Sequence, residues 1–390
     1  YNYALGEKTG IVGGIDELGP AVTTTDNNSY SHNYGVESYL ARINYGFKSR
    51  YYIDASWRTD GSSRFHPSDR WGHFWSVGAS WRISEEQFME NPRQWLDNLT
   101  LKVSYGVQGN DNLGTYYAWQ GLYDYTWPNA TDAGAFVDKL ENRKVTWEKN
   151  GNLNAGIEAT MFGGRLGVSV EYYNRKTRDM LLNSPLPIST GFTGFNDNVG
   201  SLRNQGLEVS LRGTILDKRD FRWDATLMGS FNRNKVLSLT GGQDVITSGI
   251  RVIEVGRPIY TFYLPKTAGV DPATGKQLYY AYWTQTVNDE GALVNTRCDE
   301  YITDNVAMAT LSKYYHESRE PKLFGSIGST FTILKNIDVS FLTTYSIGGW
   351  VYDGLYNGSM YVQYAGNNWH KNAKRRSVSY THLTLPTTER

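Results

Sequence analysis

The sequence predicts an all-β protein, an antiparallel transmembrane β-barrel, and three observations predict it. Apolar residues recur at every second position over ten segments, with small, polar or charged residues between them. The connections between those segments alternate between short and long. Aromatics make up 14% of the chain, with 29 Tyr and 12 Trp, while the mean hydropathy is -0.51. A helix needs about 20 consecutive apolar residues to cross a bilayer, and the chain has no such run; a tilted strand needs only about ten alternating ones. Because every backbone N–H and C=O must be paired in hydrocarbon, a barrel is the other route across.

Taken in order, the first 37 residues are rich in Gly, Thr, Asn and Asp and read as loop. They carry neither the basic start nor the apolar run of a signal peptide, so a truncated beginning is expected. Tyr39, Ala41, Ile43, Tyr45 and Phe47 then alternate with Leu40, Arg42, Asn44 and Gly46, and Tyr51, Ile53, Ala55 and Trp57 alternate with Tyr52, Asp54, Ser56 and Arg58. His73, Trp75, Val77, Ala79, Trp81 and Ile83 form the clearest case, against Phe74, Ser76, Gly78, Ser80 and Arg82. This period of two gives a strand one greasy face and one wet face. The series continues at Leu99–Tyr105, Leu153–Ala159, Leu166–Tyr172, Leu207–Leu211, Trp223–Phe231, Leu323–Ile333 and Ile337–Tyr345. Helix is expected nowhere except as a turn over 85–97.

Joins near 48–50, 84–97, 162–165, 214–220 and 335–336 are short or moderate. Those near 59–71, 108–150, 175–201 and 233–322 are longer and have room for strands of their own, for example around 116–123 and 278–283. Tight turns at one end and extended loops at the other are the asymmetry of outer-membrane barrels; a soluble sandwich has no reason to keep it. The alternation also sets a register. Tyr39, Tyr45, Phe47, Tyr51, Trp57, Trp81, Tyr105, Tyr172 and Phe231 are expected to face lipid, and Arg42, Asn44, Asp54, Arg82, Lys102, Glu158, Glu171, Glu208 and Arg212 the lumen.

Lys plus Arg and Asp plus Glu balance at 39 each, so no overall field argues for nucleic acid as a partner. The single cysteine, Cys298, permits no internal disulfide, and the six histidines form no metal-binding spacing. Ser62, Ser63, His66 and Asp69 share one loop but lack a nucleophile elbow, so no catalytic residue, metal or cofactor is assigned. Residues 271–276, Asp-Pro-Ala-Thr-Gly-Lys, read as a tight turn rather than a phosphate loop.

The blocks Asp60-Gly61-Ser62-Ser63-Arg64-Phe65, Arg70-Trp71-Gly72 and Ser80-Trp81-Arg82-Ile83-Ser84-Glu85-Glu86 resemble the barrel of the SusC/RagA family of TonB-linked outer-membrane transporters. So do Ser104-Tyr105-Gly106 with Gly109-Asn110, Trp147-Glu148-Lys149-Asn150, Asp179-Met180-Leu181-Leu182 with Gly191-Phe192, and Asn198-Val199-Gly200 with Asn204-Gln205-Gly206-Leu207-Glu208. These blocks keep family order over about 39–349. The resemblance implies an incomplete barrel of the TonB-dependent transporter type, with about ten to fourteen of some 22 strands present and the plug absent. It implies a Gram-negative outer membrane, uptake of oligosaccharides or peptides driven by the TonB complex through an N-terminal region outside this chain, and a SusD-like lipoprotein as lid. An open arc leaves unpaired edges, so the fragment is expected neither to fold stably nor to transport alone.

Nutrient recognition is expected in the loop after residue 109. There Trp119, Tyr123, Tyr125 and Trp127 offer flat rings, and Asn110 and Asp111 offer polar partners for hydroxyls; the same rings also read, and read better, as girdle or loop-packing residues. A passive porin or adhesin barrel and a soluble carbohydrate-binding β-protein are the alternatives. Residues 1–376 are assigned to the barrel with its extracellular loops. Residues 377–390, where Gly vanishes and one aromatic remains, are expected to be a non-native tail.

Overall fold

The computed structural model describes residues 32–124, 134–239, 244–274 and 276–359. The ten alternating segments are ten antiparallel strands of one sheet, paired in sequence order. They are β1 (Val36–Phe47), β2 (Tyr51–Ser62), β3 (Trp71–Arg82), β4 (Leu96–Asn110), β5 (Glu148–Met161), β6 (Leu166–Arg178), β7 (Ser201–Lys218), β8 (Phe221–Ser238), β9 (Leu323–Ile333) and β10 (Ile337–Ile347). Their joins at 48–50, 83–95, 162–165, 219–220 and 334–336 lie at one end of the sheet. Those at 63–70, 111–147, 179–200 and 239–322 lie at the other.

The pairing register puts the two residue classes on opposite faces. One row across the sheet reads Tyr45, Ile53, Ala79, Val103, Ala155, Tyr172 and Leu207; the neighbouring row on the other face reads Gly46, Tyr52, Ser80, Lys102, Gly156, Glu171 and Glu208. The expected lipid-facing and lumen-facing residues of β1–β7 therefore separate as the alternation required. On β8, Thr214 donates to Asp224 across the polar face (2.7 Å), which leaves Trp223 and Phe231 on the apolar one. The polar face carries the ion pairs Arg42–Asp54 (3.3 Å) and Lys102–Glu158 (2.5 Å) and holds a groove of about 540 Å³. Ile43, Val77 and Val103 on the other face are 71%, 47% and 47% exposed. Such a surface is stable only against an apolar medium.

Aromatic rings mark both ends of that apolar band. Tyr39 stacks on Trp71 (6.2 Å) at the long-loop end, and Tyr51 stacks on Phe47 (6.5 Å) and Trp81 (6.4 Å) at the turn end. The ten residue steps from Trp71 to Trp81, at about 3.3 Å each and tilted about 40°, project to about 25 Å, the height of an outer-membrane apolar band.

The turn-end girdle is fastened from outside the strands. Glu86, in the 83–95 join, accepts hydrogen bonds from the Tyr51 hydroxyl and the Trp81 indole (3.0 Å) and pairs with Arg50 (3.1 Å). The hydrogen bonds from Tyr51 and Trp81, reinforced by the Arg50 charge, hold its carboxyl below the ordinary 4.5. A folded pKa below the unfolded one contributes stability that is present above the unfolded value and lost as pH falls through the folded one. Glu86→Gln in the intact protein is therefore expected to melt at a lower temperature than the parent at pH 7, with the gap closing below pH 4.5. Melting followed by circular dichroism checks both; a gap independent of pH would remove the carboxylate from the account.

Expectations for the connections are met in part. The 278–283 segment falls within a strand, Gln277–Val287, but over 116–123 only the end joins one, Leu122–Asp124 paired with Phe136–Lys139. The 83–95 join is three 3-10 turns. Two short helices, Val306–Leu311 and Gly354–Ser359, correct the expectation that helix is confined to that join. Asn305 starts the first by accepting from the backbone N–H groups of Ala307 (3.0 Å) and Met308 (3.3 Å). Six residues are too few to show a helical period.

The chain divides into two compact units. The first contains β1–β7 and most of β8–β10. The second consists chiefly of the long insertion between β8 and β9, where Val245–Ser248, Arg251–Glu254, Thr261–Val270, Gln277–Val287, Leu293–Thr303 and Lys313–Ser318 form a six-stranded sheet. Its helix Val306–Leu311 buries Met308 and Ala309 in a unit where Tyr279 and Ala281 are also buried. The Asp271 turn forms as expected: Asp271 N–H donates to the Lys276 carbonyl (2.9 Å), and its carboxylate accepts from Ala273 N–H (2.9 Å) and the Thr274 hydroxyl (2.6 Å).

Candidate functional site

The sequence blocks between residues 60 and 200 are far apart along the chain, yet most of them meet at the long-loop end of β2–β7. Phe74, on the polar face of β3, forms the floor of a small core with Phe65, Ala118, Val145 and Trp147. Gly72 and Gly109 make room for it, since a Cβ on either would come within 2.4 or 2.1 Å of the Phe74 ring. Phe65 is 0% exposed and Trp147 6%, their rings 5.4 Å apart. The Trp147 indole N–H donates to the Arg70 carbonyl (2.8 Å), which joins the 63–70 loop to the start of β5.

Polar groups fasten the same layer. Glu148 accepts from Asn110 (3.2 Å) and Asn150 (3.1 Å) with one oxygen and from Leu181 N–H (3.1 Å) with the other. Asn198 donates to the carbonyls of Thr146 (2.9 Å) and Asp179 (2.8 Å) and accepts from Thr146 N–H (2.9 Å), beside the fully buried Val199. The Trp-Glu and Asn-Val-Gly blocks are thus clamps that set three long loops against one another.

The residues expected to touch ligand lie on and around this layer. Asp111 accepts from the hydroxyls of Ser62 (2.6 Å) and Tyr34 (2.9 Å) and pairs with the Arg64 guanidinium (3.2 Å). That guanidinium also lies over the rings of Tyr34 (4.6 Å) and Tyr116 (5.0 Å). Asn110 Oδ1 accepts from Asn112 N–H (3.1 Å) while its amide reaches Glu148. Trp119 is half-buried against the core, edge-on to His66 at 5.2 Å, and its indole N–H has no acceptor among the described residues. Tyr123 is 58% exposed on the short Leu122–Asp124 strand. Tyr125 and Trp127 lie outside the described residues.

Ser62 and His66 do not form a nucleophile–base pair. The Ser62 hydroxyl donates to Asp111, and His66 Nδ1 faces Ser68 (2.8 Å). The Tyr34–Arg64–Tyr116 stack escaped the sequence reading because its members are separated along the chain and meet only when the loops fold together.

Strand register, apolar band, aromatic girdles and a polar inner face with loops gathered at one end together define the wall of an outer-membrane β-barrel. The chain belongs to the TonB-dependent receptor-like β-barrel family, whose model matches residues 1–385. Within it the chain is of the SusC/RagA type, in the outer membrane of a Gram-negative bacterium. SusC of Bacteroides thetaiotaomicron is 29% identical over 366 residues, 91% of this chain and 36% of that protein. A TonB-dependent receptor of Formosa agariphila is 37% identical over 228 residues, 58% of this chain and 22% of that protein. The solved structure of a RagAB peptide importer superposes with a TM-score of 0.73 at 30% identity, covering 86% of this chain and 36% of that one. The chain spans little more than a third of the length of these relatives at most.

Proposed function

We propose that the chain is part of the barrel wall of an importer that brings large nutrients, oligosaccharides or peptides, across the outer membrane. The single observation that carries this reading is the match in fold and sequence, over 86% of the chain, to a RagAB peptide importer. The TonB complex supplies the energy by acting on the plug region of the whole protein, and a SusD-like lipoprotein closes over the long loops. The wall itself contributes a fixed polar lumen and a loop layer clamped by Trp147, Glu148 and Asn198.

Nutrient contact falls to the segment that carries Asn110, Asp111, Trp119, Tyr123, Tyr125 and Trp127. Trp119 and Tyr123 supply ring faces, while Asn110 and Asp111, engaged with Glu148 and Arg64, hold the segment in place. Residues 1–376 belong to the barrel with its loops, and 377–390 are a non-native tail.

The test is uptake of a panel of labelled glycans and peptides by a strain carrying the intact gene, its deletion and a tonB deletion. Uptake of at least one nutrient that both deletions abolish is expected. Uptake that survives without TonB would reduce the protein to a passive pore.

A further inference from the structure

The six-stranded sheet in the insertion between β8 and β9 carries a strip of tyrosines and cations that the barrel architecture does not call for. Lys266 Nζ lies 4.4 Å from the ring centre of Tyr280 and 5.5 Å from that of Tyr314. Tyr282 meets Tyr314 edge-on at 5.3 Å, and the Arg297 guanidinium lies 5.4 Å from the Tyr282 ring. Tyr263 and Tyr315, 4.9 Å apart, form a separate group on the opposite face of the ladder, with Lys313 at 5.9 Å and Arg257 at 3.7 Å. Each cation sits within the range at which a ring face attracts it.

Two features separate this strip from an ordinary solvated face. The ion pairs among the described residues of this unit are Arg257–Glu254, Lys276–Asp304 and Lys322–Glu317, so Lys266 and Arg297 lie against rings with no carboxylate within ion-pair distance. The rings are themselves fixed at their far ends. The Tyr314 hydroxyl donates to Glu300 (2.7 Å) and the Tyr282 hydroxyl to the Lys313 carbonyl, and burial raises the pKa of both, keeping them protonated donors.

We propose that this strip binds an acidic oligosaccharide, the carboxylate or sulfate groups lying against Lys266 and Arg297, with the rings of Tyr282 and Tyr314 beside them for the sugar. A neutral glycan would leave unpaired cations with no counterpart. The flat tyrosine rings of the strip favour a sugar over an acidic peptide, which is kept as an outcome of the test. The assignment rests on the importer reading above, since it names the class of nutrient.

The test uses the full-length transporter purified in detergent and titrated calorimetrically with four probes of matched length: an oligogalacturonate, a sulfated galacto-oligosaccharide, a neutral galacto-oligosaccharide and an oligoglutamate. One or both acidic sugars are expected to bind more weakly as salt rises, and the first two probes distinguish carboxylate from sulfate. Lys266→Gln with Arg297→Gln is expected to lower that affinity at least tenfold, and Lys266→Arg with Arg297→Lys to keep it within threefold. Heat-modifiable migration reports that each variant is folded. Equal binding of the neutral sugar, preference for oligoglutamate, or affinity unchanged in the double Gln variant would each overturn the proposal. A TonB-dependent transporter that imports only neutral sugars would overturn it while leaving the importer reading standing; TonB-independent uptake would overturn the importer reading itself.

Discussion

Replacing Trp147 with alanine in the intact protein is expected to destabilise the loop layer by about 3 to 5 kcal/mol, the cost of deleting a buried aromatic ring. The ring is 6% exposed and packs against Phe65 and Phe74, so its loss leaves a cavity among buried neighbours. The Arg70 carbonyl would also lose its indole donor. The strand ladders of β3–β5 do not depend on this ring, so the change is expected to open the layer rather than unfold the wall. Hydrogen exchange followed by mass spectrometry should show lost protection over 62–70 and 111–119 with β3–β5 unchanged. Trp147→Phe keeps most of the packing and loses only the hydrogen bond, so it should fall between the two. Equal loss of protection in loops and strands would mean that the ring holds the sheet itself.

The second large effect comes from the register. Val77 lies in the middle of the apolar band, paired with Ala55 and Tyr105 and 47% exposed on the outer face. Val77→Arg is expected to cost about 2 to 4 kcal/mol, the price of a cation near the bilayer midplane. Ser104→Arg, on the neighbouring strand but on the polar face beside the groove containing Asp54 and Glu158, is expected to cost less than about 1 kcal/mol, as an exposed polar position does. Urea titration of the full-length protein folded into lipid vesicles measures both. Similar costs at the two positions would contradict the assignment of faces.

The barrel wall was legible because it rests on a period of two that ten strands repeat, and because lipid and lumen punish a slip in opposite ways. His73 to Trp81 alone suffices to place both faces of β3. The strand ends were less legible. Alternation marks only Leu207–Leu211 of β7, whereas the strand runs Ser201–Lys218, its ends carrying residues whose neighbours, not polarity, decide their pairing. The short helix at Val306 was missed because one and a half turns cannot show a period, although Asn305 before Val-Ala-Met-Ala was a readable cap.

The loop layer was legible as a set of motif blocks but not as a place. Nothing along the chain says that Gly72, Gly109 and Trp147 all adjust to the one ring of Phe74, or that Asp111 gathers Tyr34, Ser62 and Arg64. Likewise the arrangement of Tyr280, Tyr282 and Tyr314 around Lys266 and Arg297 depends on a strand pairing that brings residue 266 beside 280 and residue 264 beside 314.

The central claim, that one face of this sheet meets lipid and the other encloses a polar lumen, is tested most directly by spin labels on alternating residues. In full-length protein with Cys298 replaced by serine and reconstituted into vesicles, single cysteines at Tyr45, Val77, Val103 and Leu207 would be labelled, and separately at Asn44, Ser80, Ser104 and Glu208. The first set is expected to collide preferentially with oxygen dissolved in lipid, and the second to show low oxygen accessibility, with any excess going to a water-soluble nickel chelate. Inverted parity, or no alternation between the two sets, would contradict the account.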